Sequence, residues 1–359
     1  MKPFDLSKLK KTLVKKGIPT GFFDPKDWID TGNYALNYCI SSSFFKGIPL
    51  GKVSVFAGES GSGKSYVASG NLVRNAQKMG AQVILLDSEY ALDKEWVTNL
   101  GVGVDEDLMI KASVSLVDDC AAVVNEVMDS YVKDYGDLPY EERPKILFVI
   151  DSLGMLSTPT EVDQFSKNEM KGDMGRKAKQ LKALVTQCLK MFGPHPIGLV
   201  ATNHTYKSQD MFSPDDVVSG GAGFTYASSI VVTMNKLKLK TDADGNKTSQ
   251  VHGIRSKMKC IKSRYAKPFE EVEIEIPWTT GMDPYSGLVE LFQKMGVITK
   301  DGNKLAYVDN DGEVHKHFEK AFNRDTALLD RMMREVEDKL LTQGEEPAGV
   351  DLEGEETDE

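Results

Sequence analysis

The chain has 359 residues, 40% of them hydrophobic, and a formal net charge of −10. Such a length can bury one large core and a small second domain, and no apolar run of about 18 residues or signal-like leader points to a membrane or to export. The four cysteines, Cys39, Cys120, Cys188 and Cys260, lie far apart and form no C-x-x-C pair, so neither a disulfide framework nor structural zinc is expected, and a reducing compartment is.

The charge is unevenly spread. The last sixteen residues, GEEPAGVDLEGEETDE, carry eight carboxylates and no Lys or Arg, and without them the net charge is about −2. A nucleic-acid partner is therefore not excluded, and the tail reads either as a solvated end or as an acidic decoy for a basic groove.

In chain order, Leu6, Leu9 and Leu13 stand at helical spacing among lysines, and Gly17 and Pro19 end that helix. The segment GFFDPKDWIDTGN then presents Phe22, Phe23 and Trp28. From residue 50, apolar runs recur at Val53 to Ala57, Val83 to Leu86, Ile146 to Ile150, Ile197 to Thr202 and Ile230 to Met234. Helix-like segments, Ser65 to Lys78, Val114 to Lys133 and Arg176 to Met191, lie between them. Apolar strands alternating with helices predict an α/β fold with a mainly parallel twisted sheet flanked by helices. Further on, TDADGNKT separates two β-rich runs, so Asp244 and Gly245 are expected to turn a hairpin that extends the sheet. The charged helix around LLDRMMREVEDKLL closes the ordered part, and His315 and His317 in HKH read as surface residues.

The stretch VFAGESGSGKSYVA is a strand, a glycine-rich loop and the start of a helix. Gly58, Gly63, Lys64 and Ser65 satisfy G-x-x-x-x-G-K-[ST], a P-loop of the Walker A type. The loop runs Glu59, Ser60, Gly61, Ser62, Gly63, and Tyr66 opens the helix. Its backbone N–H groups cradle the phosphates of ATP, Lys64 reaches the β- and γ-oxygens, and Ser65 ligates Mg²⁺. The run KILFVIDS ends a buried strand at Asp151, the position of a Mg²⁺-shell carboxylate. The strand in QVILLDSEYALDKEW ends at Asp87 and Glu89, and position alone leaves the water-activating role open between them.

Taken together, GESGSGKS, DSEYALDKEWVTNLGV, FVIDSLGML and LVATNHTYKSQDMF followed by SGGAGFTYAS resemble the RecA family in content and order. DSE, NHTY, DPYSGL and a K-S-R triplet make the chain similar in particular to the UvsX recombinases of T-even-type bacteriophages, over roughly residues 20 to 300. The resemblance implies that Glu89 is the catalytic glutamate, that Trp96 stands where the family places an aromatic, usually Tyr, over adenine, and that Asp93 meets the adenine amino group. His204, after Asn203, takes the place of a Gln that senses the γ-phosphate; an imidazole can donate the same hydrogen bond. In IKSRYAKPF, Lys262 and Arg264 match lysines that reach the ATP of the adjacent subunit, acting in trans on developing charge.

DNA-binding loops are expected near 159–174 and 205–221. The first carries Lys171 and leads to a basic helix with Arg176 and Lys177; the second carries Tyr206, Lys207 and Phe212 before Gly220 and Gly221, with Asp210, Asp215 and Asp216 adding negative charge. Lysines for phosphates and side chains that wedge between bases suit single-strand binding without sequence preference. The implied domains are an N-terminal helix and protomer-docking segment over 1–35, with Phe22, Phe23 and Trp28 as interface contacts, and a RecA-like ATPase core over 36–300. A small helical region over 301–343 and a disordered acidic tail over 344–359 follow. The implied function is a DNA-dependent ATPase that forms a helical filament on single-stranded DNA and pairs it with homologous duplex DNA. A single-strand-binding protein and a recombination mediator are the implied helpers, no membrane is involved, and the setting is the cytoplasm of a phage's bacterial host. The rival readings are a RecA-fold ring ATPase, either a helicase motor or a clock-type kinase, and a nucleotide-binding regulator that does not hydrolyse.

Overall fold

The apolar runs become strands of one eight-stranded sheet. In chain order these are β1 Val53–Gly58, β2 Gln82–Asp87, β3 Met109–Ser113, β4 Ile146–Asp151, β5 Ile197–Asn203, β6 Ile230–Leu239, β7 Gly253–Lys262 and β8 Glu271–Pro277. Their spatial order is β8-β7-β6-β1-β5-β4-β2-β3. The six strands from β6 to β3 run parallel, and β7 and β8 are antiparallel additions. The structure, a computed structural model, describes residues 4–16, 18, 20–169, 175–207, 216–241 and 248–344.

Strands β1, β4 and β5 are buried along their whole length, as strands with helices on both faces must be. The helix Arg176–Phe192 covers one face, where Phe192 stacks on Phe148 of β4 with ring centroids 5.3 Å apart. Two strands have no counterpart in the sequence reading. Edge strand β3 (MIKAS) is short and mostly exposed, so it shows no clean period. Strand β8 (EVEIEIP) alternates residue by residue between half-buried and buried, a period-2 signal that was there to be read. The pairing of β6 with β7 forms the expected hairpin, whose turn at Asp244 and Gly245 lies outside the described residues. No helix among the described residues is long and apolar enough to cross a membrane.

The N-terminal boundary expected at residue 35 does not hold. The helix Leu6–Lys15 has no buried residue, but Trp28–Ile29 already pairs with Ile48–Pro49, and Ile29 is fully buried. Asn37, on the helix Tyr34–Ser41, ties these pieces together. Its Oδ1 accepts from the Thr31 N–H at 3.0 Å and the Thr31 hydroxyl at 2.7 Å, and its Nδ2 donates to Asp30 Oδ1 at 2.8 Å and the Phe44 carbonyl at 2.9 Å. All four hydrogen-bonding positions of the amide are used.

The chain divides into two compact units, Met1–Gly287 and Leu288–Glu359. The second corrects the helical region expected over 301–343, because it contains a three-stranded antiparallel sheet, β9 Thr299–Asp301, β10 Lys304–Val308 and β11 Val314–His317, before the helices Glu319–Phe322 and Thr326–Gly344. Two Asp-Gly pairs make the turns, with Gly302 at φ +63° and Gly312 at φ +84°, a conformation glycine adopts without strain. His315 is bonded to Asp309 at 3.0 Å and stacked on Tyr307, a structural role beneath the surface reading. Residues 345–359 of the acidic tail lie outside the described residues.

Replacing Asn37 by Leu keeps the branched shape but removes all four of these hydrogen bonds and orphans the buried Thr31 N–H, at about 1–3 kcal/mol for a buried group left unpaired. A loss of at least about 2 kcal/mol is expected in urea unfolding of Asn37→Leu.

Candidate nucleotide and DNA-binding site

The phosphate loop follows β1 directly. A Cβ on Gly58 would lie 2.2 Å from the Met234 carbonyl oxygen, so only glycine lets the loop leave the sheet beside β6, and Gly61 and Gly63 take φ of +75° and +94°. Strands β6 and β7 brace the loop: Ser256 donates to the Ser62 carbonyl at 2.9 Å, and Lys236 donates from its N–H to Glu59 Oε1 at 3.2 Å and from Nζ to the Ser60 carbonyl at 2.5 Å. Neither Lys236 nor Ser256 was singled out in sequence, since contacts across nearly 200 residues leave no local pattern.

Lys64 is buried, and its ammonium donates to the Gly58 and Glu59 carbonyls at 3.0 and 2.8 Å. Burial pulls its pKa below the ordinary lysine value, partly opposed by Glu89 and Asp151. The Ser62 hydroxyl is fully buried without a hydrogen-bond partner among the described residues. A buried cation and an orphaned hydroxyl in a glycine loop fit a bound polyphosphate. The helix that follows winds wider than an α-helix over Tyr66–Leu72 before tightening at Val73–Lys78. The Ser65 side chain caps no helix N–H, which leaves it free for a cation such as Mg²⁺.

Asp151 and Asp87 are register partners at the ends of β4 and β2. Asp151 is almost fully buried, accepting from Ser69 Oγ at 2.8 Å and Thr202 Oγ1 at 2.5 Å. Each carboxylate oxygen keeps a lone pair, so the group suits a Mg²⁺ shell reached through water. Ser69 lies one helical turn beyond Ser65, a spacing that could have flagged it; Thr202 came from a distant strand. Asp87 is fully buried and accepts the N–H groups of Glu89 and Tyr90 at 3.1 and 2.9 Å. That leaves Glu89 as the carboxylate facing outward. Its Oε1 accepts from Ser152 Oγ at 2.8 Å and lies 3.5 Å from His204 Nε2. Gly154 makes room, since a Cβ there would be 2.7 Å from His204 Cδ2.

On the other side of the loop, Asp93 caps the helix Lys94–Asn99, accepting the Trp96 N–H at 3.1 Å. Trp96 is half-buried rather than in the core, and its ring stands edge-on to Tyr66 at 6.5 Å. Gly281, at φ +77°, leaves space for Tyr66, whose hydroxyl would sit 1.8 Å from an added Cβ.

The first loop is not all loop. Pro159–Ser166 is a helix started by a Thr158/Glu161 capping box with Pro at its first turn, leaving Val162 and Phe165 exposed. Lys171 and Phe212 lie outside the described residues. Arg176 is exposed at the start of the helix Arg176–Phe192, and Lys177 donates to the Gly154 carbonyl at 2.7 Å. In the second loop Thr205–Tyr206 pairs with Val217–Val218, and Tyr206 is exposed. Lys207 is exposed and ion-paired at 2.8 Å with Asp216, whose own side chain is nearly buried. Gly220 and Gly221 turn at φ of +95° and +82° against Leu181 and Ala178 of the basic helix, so the end of the second loop and that helix share one surface. That surface is joined to the nucleotide side. The N–H of Ser219 donates to the His204 carbonyl at 2.9 Å, and Asn203 Nδ2 donates to the Ser219 carbonyl at 2.7 Å.

Comparison of the sequence with known proteins places it in a family. Residues 23–283 match the RecA N-terminal domain. The chain belongs to the RecA family. It is 27% identical over 310 residues to the recombination and repair protein of Enterobacteria phage T4, covering 83% of this chain and 73% of that protein. It is 30% identical over 336 residues to Protein RecA of Cutibacterium acnes, covering 90% and 86%. To Protein RecA of Streptomyces coelicolor it is 27% identical over 321 residues, covering 88% and 78%.

Two residues that the RecA resemblance places at a neighbouring subunit's ATP lie away from this chain's own phosphate loop. Met258 of β7 is level with Gly58 through Met234, and Lys262 is four residues further, about 13 Å along the strand. Lys262 donates to the Thr225 and Tyr226 carbonyls at 3.1 and 2.5 Å, and burial, then Arg264, lowers its pKa. Arg264 is exposed. Of the expected interface aromatics, Phe22 is 97% exposed and Phe23 43%. Trp28 is half-buried, its ring edge-on to Tyr265 at 5.0 Å.

Because Lys64 surrenders its proton more readily than an ordinary lysine, phosphate affinity is expected to fall as pH rises, beginning below the usual lysine range. Calorimetric titration of ATP from pH 7 to 10, with circular dichroism to confirm an intact fold, measures this; a flat profile would contradict it.

Proposed function

We propose that this RecA-family protein is a recombinase that hydrolyses ATP with Mg²⁺, polymerises on single-stranded DNA and pairs it with homologous duplex. The observation that carries the reading is the end of β5. There Asn203 and His204 are bonded to Ser219 of the second loop, while the His204 ring approaches Glu89. One strand end thus touches both the water-activating carboxylate and the surface for DNA.

Within this reading, Lys64 and the loop N–H groups hold the phosphates, and Trp96 with Tyr66 flanks the base. Ser65 and Asp151 would hold Mg²⁺, whose positive charge offsets that of the phosphates. Glu89, oriented by Ser152, positions and deprotonates the attacking water. His204 links the γ-phosphate position to the second loop. Lys262 and Arg264 serve the next subunit's nucleotide, which their distance from this chain's own loop supports. Phe22 and Phe23 offer the exposed apolar contact of a heterologous, non-closing assembly. The basic helix with Arg176, and Tyr206 on the second loop, supply phosphate and base contacts. A single-strand-binding protein and a mediator are the helpers we propose, in the cytoplasm of a phage-infected host.

Hydrolysis measured with and without single-stranded DNA tests the reading. Strong stimulation in the wild type and its loss in Glu89→Ala are expected, and hydrolysis indifferent to DNA would refute it. Mixing Glu89→Ala with Arg264→Ala is expected to restore hydrolysis that neither has alone, because some interfaces then join an intact Glu89 to an intact Arg264.

A further inference from the structure

The loop carrying Glu89 is built around one buried carboxylate. Asp87, fully buried at the end of β2, accepts the N–H groups of Glu89 and Tyr90 on Oδ1, and that of Leu92 at 3.4 Å on Oδ2. A buried charge needs an opposite one. Lys111 of edge strand β3 provides it, with Nζ 2.9 Å from Asp87 Oδ2. The same ammonium donates to the Leu92 carbonyl at 2.9 Å, so it clasps both ends of the turn from Asp87 to Leu92. Nothing in that turn is regular structure, and Tyr90 within it sits at φ +56°, where a non-glycine residue is held only by its surroundings.

We propose that Lys111, acting through Asp87, is a positioning residue for Glu89. Among the described residues its ammonium bonds Asp87 and Leu92, and neither the phosphate loop nor the Glu89 side chain. By neutralising Asp87 and holding Leu92, it keeps the N–H groups of Glu89 and Tyr90 on one oxygen, and so fixes where the Glu89 carboxylate emerges beside Ser152. Misplacing such a group by about 1 Å can cost about 100-fold in rate. The inference rests on the reading of Glu89 as the water-activating group.

The test is steady-state ATP hydrolysis with saturating single-stranded DNA for the wild type, Lys111→Met, Lys111→Arg, Glu89→Gln and the Lys111→Met/Glu89→Gln double variant. Lys111→Met is expected to lower kcat by about 10- to 100-fold with KM for ATP changed by less than about threefold. Lys111→Arg is expected to recover most of the loss. In the Glu89→Gln background Lys111→Met is expected to cost nothing further, since a group that acts through Glu89 has nothing left to position. Hydrogen exchange of the Glu89 to Leu92 amides is expected to quicken in Lys111→Met. A kcat within about twofold of wild type, an Arg variant as poor as Met, or an equal loss in both backgrounds would each overturn the proposal while leaving Glu89's role intact. Wild-type hydrolysis by Glu89→Gln would overturn both. Should Lys111→Met fail to fold by thermal melting, Asp87→Asn, which keeps the shape and removes the charge, is expected to give the same loss of kcat, and wild-type hydrolysis by it would overturn the proposal.

Discussion

A strand covered by helices on both faces must be apolar for its whole length, so its polar chemistry can stand only where the strand ends. That constraint organises this protein. Strands β1, β2, β4 and β5 run parallel and side by side, so their carboxyl ends open along one edge. Gly58, Asp87, Asp151 and Asn203 are the last residues of these strands. The phosphate loop, the carboxylates and the link to the second loop are neighbours for that reason alone.

Once charges are gathered in a dry crevice, each needs a partner. Asp151 is held by two hydroxyls and Asp87 by backbone N–H groups and Lys111, while the Lys64 ammonium lies on loop carbonyls. Glu89 differs: a third of its side chain is exposed and only Ser152 donates to it at normal hydrogen-bond length among the described residues. A carboxylate that is oriented but not saturated retains lone pairs for a proton. The antiparallel strands β6 and β7 do a second job, bracing the phosphate loop at one end through Lys236 and Ser256 and carrying Lys262 away from it at the other.

Much of this was legible in the residues. Continuous apolar runs marked five of the eight strands, because burial on both faces leaves no other composition possible. The phosphate loop was legible because its glycines answer to local backbone geometry, and Asp151 because it closes an apolar run. Less visible were features whose signal is weak or shared with other structures. Edge strand β3 is half solvated, and the helix Pro159–Ser166 sits where a plain loop was expected, although its capping box was present in sequence. The sheet of β9 to β11 was announced by two Asp-Gly turns but masked by the charged helix that follows.

Sequence by itself determined the fully apolar strands, the phosphate loop and the identity of the carboxylates at the strand ends, since each depends on residues adjacent in the chain. Position alone did not separate Asp87 from Glu89. Only the tertiary structure turned Asp87 inward onto Glu89 and Tyr90 N–H groups, paired it with Lys111, set His204 beside Glu89, and brought Trp28 against Tyr265. Those outcomes depend on which strands become neighbours and where side chains point, and neither is written in any local stretch of the chain.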